Sequence, residues 1–178
     1  MVRTLRTNQV DEAMPKTQKP VRAYAFEAPI AVPRFEEAAG FYTTPQRSAA
    51  MARVKGADTR PEVKFRKALW RAGLRFRVHP KKLPGKPDIS NQRLRLAIFI
   101  DGEFWHGHDW ATKQQAIKTN RGFWLPKIER NMQRDRHVNA RLHAMNFRVF
   151  RFWAHEIDRE LGRCLAEVLG YVRQALRY

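Results

Sequence analysis

Apolar and polar positions fall into a readable order between residues 58 and 176. Asp58-Thr59-Arg60-Pro61-Glu62 has the form of a helix start, with Thr59 as N-cap, Pro61 in the first turn and Glu62 at the capping-box position. Glu62, Phe65, Leu69 and Ala72 share one face of this helix, which Gly73 closes. Residues 74–78 alternate apolar and basic, as a half-exposed strand does. A basic, proline-rich loop (79–87) leads to residues 94–100, whose Ala97-Ile98-Phe99-Ile100 ending suits a central strand covered on both faces. Residues 110–122 read as a loop with a short helix. A longer helix starts at Pro126, with Ile128, Met132, Val138, Leu142 and Met145 as its buried stripe. A further strand follows over 146–153. The last helix, 156–176, packs through Leu161, Leu165, Val168, Leu169, Val172 and Leu176, with Cys164 as a small core residue among them. Residues 1–45 hold five of the ten prolines and show no period of 3.6 or 2. They read as a flexible N-terminal extension, with Tyr24, Phe26, Phe35, Phe41 and Tyr42 available for docking. The expectation is an α/β domain over 46–178 with this extension in front.

Composition narrows the class. A chain of 178 residues suits one domain with an extension and can bury a real core. No apolar run reaches the roughly 18 residues of a membrane span, and the N-terminus lacks an apolar signal-peptide region. The single cysteine excludes an internal disulfide and a cysteine-rich zinc site, and it fits a reducing cytoplasm. Lys and Arg number 35 against 17 Asp and Glu, a net +18. That excess points to a polyanion, with nucleic acid as the default. Residues 1–45 carry six Lys/Arg and five Asp/Glu, so +17 of the charge belongs to the body.

Candidate chemistry gathers after the central strand. Asp88 and Asp101 stand at adjacent strand ends, with Glu103, His106 and His108 close behind. Such a set can hold a hard divalent cation and a proton acceptor, and it equally suits a polar loop after a strand. Asp135 takes the step between Met132 and Val138 that should be apolar, and Asn131 lies one turn earlier. A carboxylate on a core stripe needs either a partner, such as an ion pair with Arg134 or Arg136, or a function, such as presentation to His106. Glu62 likewise reads either as a helix cap or as an acid reaching into an active site.

Four blocks in unbroken order carry a family resemblance over residues 46–160: RSAAMARVKGADTRPEVKFRKALWRAGLRFRVHPKKLPGKPDI, AIFIDGEFWHGH, FWLPKIERNMQRDR and FRVFRFWAHEI. Together they resemble the very short patch repair (Vsr) endonucleases. The resemblance implies a restriction-endonuclease-like core, a mixed central sheet flanked by helices. It implies a bacterial, cytoplasmic, nucleoid-associated monomer that needs Mg²⁺ and nicks double-stranded DNA 5′ of the T in T:G mismatches left by deaminated 5-methylcytosine. It also implies a functional link to a cytosine DNA methyltransferase. Carried over by position, Asp88 and the Ile100 carbonyl match metal ligands and His106 the general base. Asp135 matches the acid that orients His106, Asn131 a supporting asparagine, and Glu62 an acid near the metal. Phe104, Trp105 and Trp124 match aromatics that wedge into the duplex, a step that costs least where pairing is already faulty. Lys81, Lys82, Lys86 and the arginines at 75, 77, 130, 134 and 136 are the expected phosphate contacts.

The departures are specific. Where well-known members carry His-Gly-Cys-Phe-Trp-His, this chain reads Asp101-Gly102-Glu103-Phe104-Trp105-His106. Asp101 then joins Asp88 as a second metal carboxylate. Glu103 and His155 stand where zinc cysteines are expected, so the family's structural zinc should be absent, and a Glu103, His108 and His155 site is a weak substitute. Two other readings stay open. One is a restriction-like or structure-specific nuclease on the same fold. The other is a non-catalytic DNA-binding protein, which the presence of Asp88, Asp101, His106 and Asp135 disfavours.

Overall fold

The computed structural model describes residues 27–177. Among these residues the sheet has three strands in the order β1 (Ile89–Asn91), β2 (Leu96–Asp101) and β3 (Arg148–Trp153). Strand β1 runs antiparallel to β2, with Ile89 opposite Ile98. Strand β3 runs parallel to β2 along its whole length, from Leu96 opposite Arg148 to Asp101 opposite Trp153. Every residue of β2 is buried, as a central strand with both faces covered requires. Because β1 is antiparallel, Asp88 at its start lies beside the carboxyl end of β2. The mixed pairing therefore gathers Asp88, Ile100 and Asp101 at one end of the sheet.

Among the described residues there are six α-helices, α1 (Pro45–Ala52), α2 (Arg60–Arg71), α3 (Trp110–Ala116), α4 (Arg121–Ala144), α5 (Ala154–Arg159) and α6 (Leu161–Ala175), and one 3-10 turn, Glu37–Ala39. Alternation along the strands splits the core in two. Ile98, Ile100, Phe150 and Phe152 pack on one face with Phe65 and Leu69 of α2, Ile157 of α5, and Cys164 and Val168 of α6. Ala97 and Phe99 face the other way, onto Val138 and Leu142 of α4. Full burial of a side chain such as Leu69 or Ile98 contributes roughly 1.5–3 kcal/mol, so both layers hold the sheet between them. Gly85 (φ 72°) lets the loop before β1 touch α4, since a Cβ there would sit 2.5 Å from a Val138 methyl.

Several boundaries differ from the sequence reading. Residues 74–78 form no strand; they contribute one bridge, between Arg77 and Ser90. Leu94 and Arg95 belong to the turn before β2, where Arg95 adopts φ 46°. Helix α4 begins at Arg121, with Pro126 inside it. At that depth only one intrahelical bond is lost, and the carbonyl four residues back belongs to Gly122. Met145 is exposed, whereas Gln133, a polar residue outside the expected stripe, is buried. The final helix is two helices, broken at Glu160 (φ −128°), and Leu176 is exposed. Trp153, at the end of β3, is half-buried.

Of the N-terminal extension, residues 1–26 (with Tyr24 and Phe26) lie outside the described residues. From Glu27 onward the chain runs against α4. Gln133 accepts from the Ile30 N–H (3.0 Å) and donates to the Ala28 carbonyl (3.0 Å). Phe35 and Phe41 pack on Phe123, with ring centroids 4.9 and 5.8 Å away. Among the described residues no helix is long and apolar enough to cross a membrane.

Candidate active site

The end of β2 opens into a cleft of about 910 Å³, lined by Glu62, His79, Lys86, Asp88, Asp101, Trp105, His106 and Arg134 among others. Asp88 sits on its floor. Its Oδ2 accepts the Ile100 N–H at 2.7 Å, which ties the start of β1 to the end of β2. Burial pushes the Asp88 carboxyl up to about 6, helped by the negative charges of Glu62 and Asp101 and opposed by the Ile100 N–H and His79.

Glu62 is buried, where it both ties the start of α2 and faces the cleft. It accepts from the Asp58 N–H (2.9 Å) and the Thr59 hydroxyl (2.8 Å), closing the start of α2. Arg66, one turn on, meets its Oε2 at 2.7 Å. The same carboxylate lines the cleft and bears electrostatically on Asp88. His79, which sequence reasoning passes over as part of a basic loop, lies 3.7 Å from Asp88, Glu62 and Asp58. Asp58, Glu62 and His79 bring ligand-type atoms within 4.8 Å of one another. Arg66 already pairs with both acids of that set, which favours a structural ion-pair network there.

A turn from Gly102 to Asp109 carries His106 to the cleft, and α4 meets it from the side. His106 Nδ1 lies 2.6 Å from Asp135 Oδ2 and 3.5 Å from Asp101 Oδ1. Burial alone would raise the Asp135 carboxyl, but the His106 hydrogen bond and the charges of Arg151, His106 and Arg134 outweigh it and hold it low. Arg134 approaches Asp135 only to 3.7 Å, with its side chain 61% exposed, so the partners that matter are His106 and Arg151. One turn earlier, Asn131 Nδ2 donates to the Trp105 carbonyl at 3.0 Å and fixes the same turn from below.

Asp101 is more occupied than its sequence position implied. Both of its oxygens accept from Arg151, from Nε at 2.6 Å and Nη2 at 2.9 Å. Sequence reasoning misses Arg151. The signal that could have found it is a charge on the second face of β3, between Val149 and Trp153, where a doubly covered strand carries apolar residues. Glu103 is also engaged: its Oε1 accepts the His155 N–H and lies 2.8 Å from His155 Nδ1. His108 packs edge-on to Trp153 and His155, at 4.8 and 4.9 Å between centroids.

At the cleft mouth Phe104, Trp105 and Trp124 meet edge to face at 5.2, 5.3 and 5.8 Å, and Phe104 is 46% exposed. This cluster continues through Phe123 to Phe41 and Phe35 of the extension. Lys86 and Arg134 line the cleft, Arg130 and Arg134 line a groove along α4, and Lys82 is exposed on the loop before Asp88. An acid on the floor, a histidine held by a second acid, and aromatic and cationic walls together can bind a polyanion and move a proton.

Comparison with known proteins gives the family. The family described as DNA mismatch endonuclease Vsr matches residues 39–112. A type II nicking enzyme of Neisseria meningitidis serogroup C is 42% identical over 135 residues, covering 76% of this chain and 88% of that protein. A type II nicking enzyme of Haemophilus parainfluenzae is 46% identical over 116 residues, 65% of this chain and 82% of the relative. The DNA mismatch endonuclease Vsr of Escherichia coli K12 is 39% identical over 108 residues, 60% and 68% respectively.

Proposed function

Since the chain belongs to the Vsr family of DNA endonucleases, we propose that it nicks one strand of duplex DNA 5′ of the T in a T:G mismatch, with Mg²⁺ as cofactor. One observation carries the reading. The half-buried carboxylate of Asp88 and His106, which Asp135 holds from behind, line the same cleft beside the rings of Phe104 and Trp105. The donor set fits a hard divalent cation: Asp88 is raised to about 6 by burial and two neighbouring carboxylates, an excess of negative charge that a cation relieves. Asp88 and the Ile100 carbonyl would hold it; Asp101 lies beside them, but both of its oxygens are engaged by Arg151. Mg²⁺ bound there supplies positive charge to stabilise the phosphate oxygens as the bond breaks.

The chain's own residues do the rest. Asp135 accepts from His106 Nδ1–H and so leaves Nε2 as the ring atom that takes a proton from the attacking water. Asn131, through the Trp105 carbonyl, keeps the turn that carries His106 at its distance from α4. Glu62 adds negative charge beside Asp88 while anchoring α2. Phe104, Trp105 and Trp124 form the wedge that enters a weakened base step. Lys82, Lys86, Arg130 and Arg134 neutralise phosphates. The extension, docked from Glu27 on, adds to an endonuclease domain that starts near residue 46. Double-stranded DNA is the partner, the protein acts as a monomer beside a cytosine DNA methyltransferase in a bacterial cytoplasm, and Glu103 with His155 replaces a structural zinc by a direct contact.

The test is a labelled duplex with one T:G mismatch in several flanking contexts, with Mg²⁺ or EDTA, beside the matched duplex. A single nick next to the T, dependent on Mg²⁺ and absent in Asp88→Asn, is the expected result. Equal cutting of the matched duplex would move the enzyme to a restriction-like activity. Tight binding with no nick in any context would make it a DNA-binding protein.

A further inference from the structure

Arg151 has no place in the chemistry described so far, yet it touches both acids beside the proposed base. Its guanidinium lies over the Phe99 ring, 4.6 Å from the centroid. Nε and Nη2 take the two oxygens of Asp101, Nη2 also stands 3.1 Å from Asp135 Oδ1, and Nη1 donates to Asn139 Oδ1 at 3.1 Å. The planar fork therefore spans two carboxylates that both lie near the same atom, His106 Nδ1, at 2.6 Å (Asp135) and 3.5 Å (Asp101).

We infer that Arg151 is a positioning residue that decides which acid holds His106, a reading that rests on the proposed role of His106. Two carboxylates beside one N–H compete for it. By consuming both oxygens of Asp101, Arg151 leaves Asp135 as the acceptor, and its contact with Oδ1 turns Oδ2 toward the ring. The same grip removes Asp101 from metal binding, so Asp88 and the Ile100 carbonyl carry that role. Lysine is a poor substitute, because a single ammonium cannot span two oxygens of one acid and one of another in a plane.

Removing Arg151 alone leaves Asp101 buried without its partner and risks the fold. The informative protein is therefore Asp101→Asn/Arg151→Met, compared with wild type, Arg151→Lys and His106→Ala. Three quantities are read on each: the single-turnover nicking rate on the mismatched duplex, the duplex Kd, and the low-field Nδ1–H signal of His106 in ¹⁵N-histidine-labelled protein. Arg151→Lys, which frees one Asp101 oxygen to compete for His106, is expected to weaken that signal and to nick on the order of 10²-fold more slowly, with Kd within about twofold of wild type. The double variant, in which no second carboxylate competes, is expected to recover both signal and rate. A wild-type signal and rate in Arg151→Lys, or a double variant as impaired as Arg151→Lys, would overturn the inference, and so would a loss of rate matched by a loss of duplex binding. A wild type that fails to nick would remove the proposed function instead, and the His106 signal would still decide what Arg151 does.

Discussion

An ionised Asp88 works against the fold. Its carboxyl titrates at about 6 in the folded protein because burial and neighbouring acids oppose the charge, whereas in the unfolded chain it titrates at about 3.9. Between those values the folded state binds the extra proton, so this group's contribution is greatest below about pH 4 and is lost as pH rises through about 6. Calorimetry of the metal-free protein should therefore find Asp88→Asn more stable than wild type at about pH 7.5, by roughly 1–3 kcal/mol, with the difference vanishing below about pH 4. Added Mg²⁺ should raise the wild-type Tm and leave the variant's unchanged. The same variant should bind mismatched duplex normally and fail to nick it. A variant with unchanged Tm at both pH values would mean that Asp88 bears no such burden. For His106 as the proposed base, Asp135→Asn is expected to lower the single-turnover rate about 10²- to 10⁴-fold, the span that oriented proton transfer covers.

Elements decide where these residues stand, and the sequence is legible to the extent that each element carries its own period. Helix α2 starts at Arg60, behind a Thr59 whose side chain makes no capping bond to the backbone, and stops before Gly73, because its proline and glycine are local signals. Asp135 stands out as a charge on the core stripe of α4, and Asp88 and Asp101 as acids bounding a buried strand. What stays hidden depends on partners remote in sequence. Gln133 looks like an ordinary surface residue until the extension lies on it, and Arg151 looks like a solvated strand residue until α4 covers that face. The split at Glu160 is masked by a continuous apolar pattern, and residues 74–78 alternate correctly yet find only one bridge partner. The extension adds an element-level expectation. Phe35 and Phe41 brace Phe123, which braces Trp124 at the cleft mouth. Phe35→Ala/Phe41→Ala should melt within a few degrees of wild type while narrowing the ratio of mismatched to matched duplex Kd severalfold, as read by fluorescence anisotropy. An unchanged ratio would make the extension's packing irrelevant to the wedge.

For the molecule as a whole, a net charge of +18 sits almost entirely on the folded body, and Lys86, Arg130 and Arg134 line the cleft and its adjoining groove. Binding to any duplex should then be strongly salt-dependent. Six to ten phosphate contacts correspond to a loss of about 10³- to 10⁵-fold in affinity between about 50 and 200 mM salt, and a shallow slope would argue for far fewer. The parallel pairing of β2 with β3 has one more consequence, in the order of synthesis. A ribosome delivers Asp88, His106 and Asp135 before it delivers residues 148–153. Until then β2 has only the three-residue β1 as a neighbour, and Asp101 has no Arg151 to occupy it. A nascent chain therefore holds the proposed catalytic groups without their arrangement. The arrangement is complete only once β3 has been made and has docked beside β2.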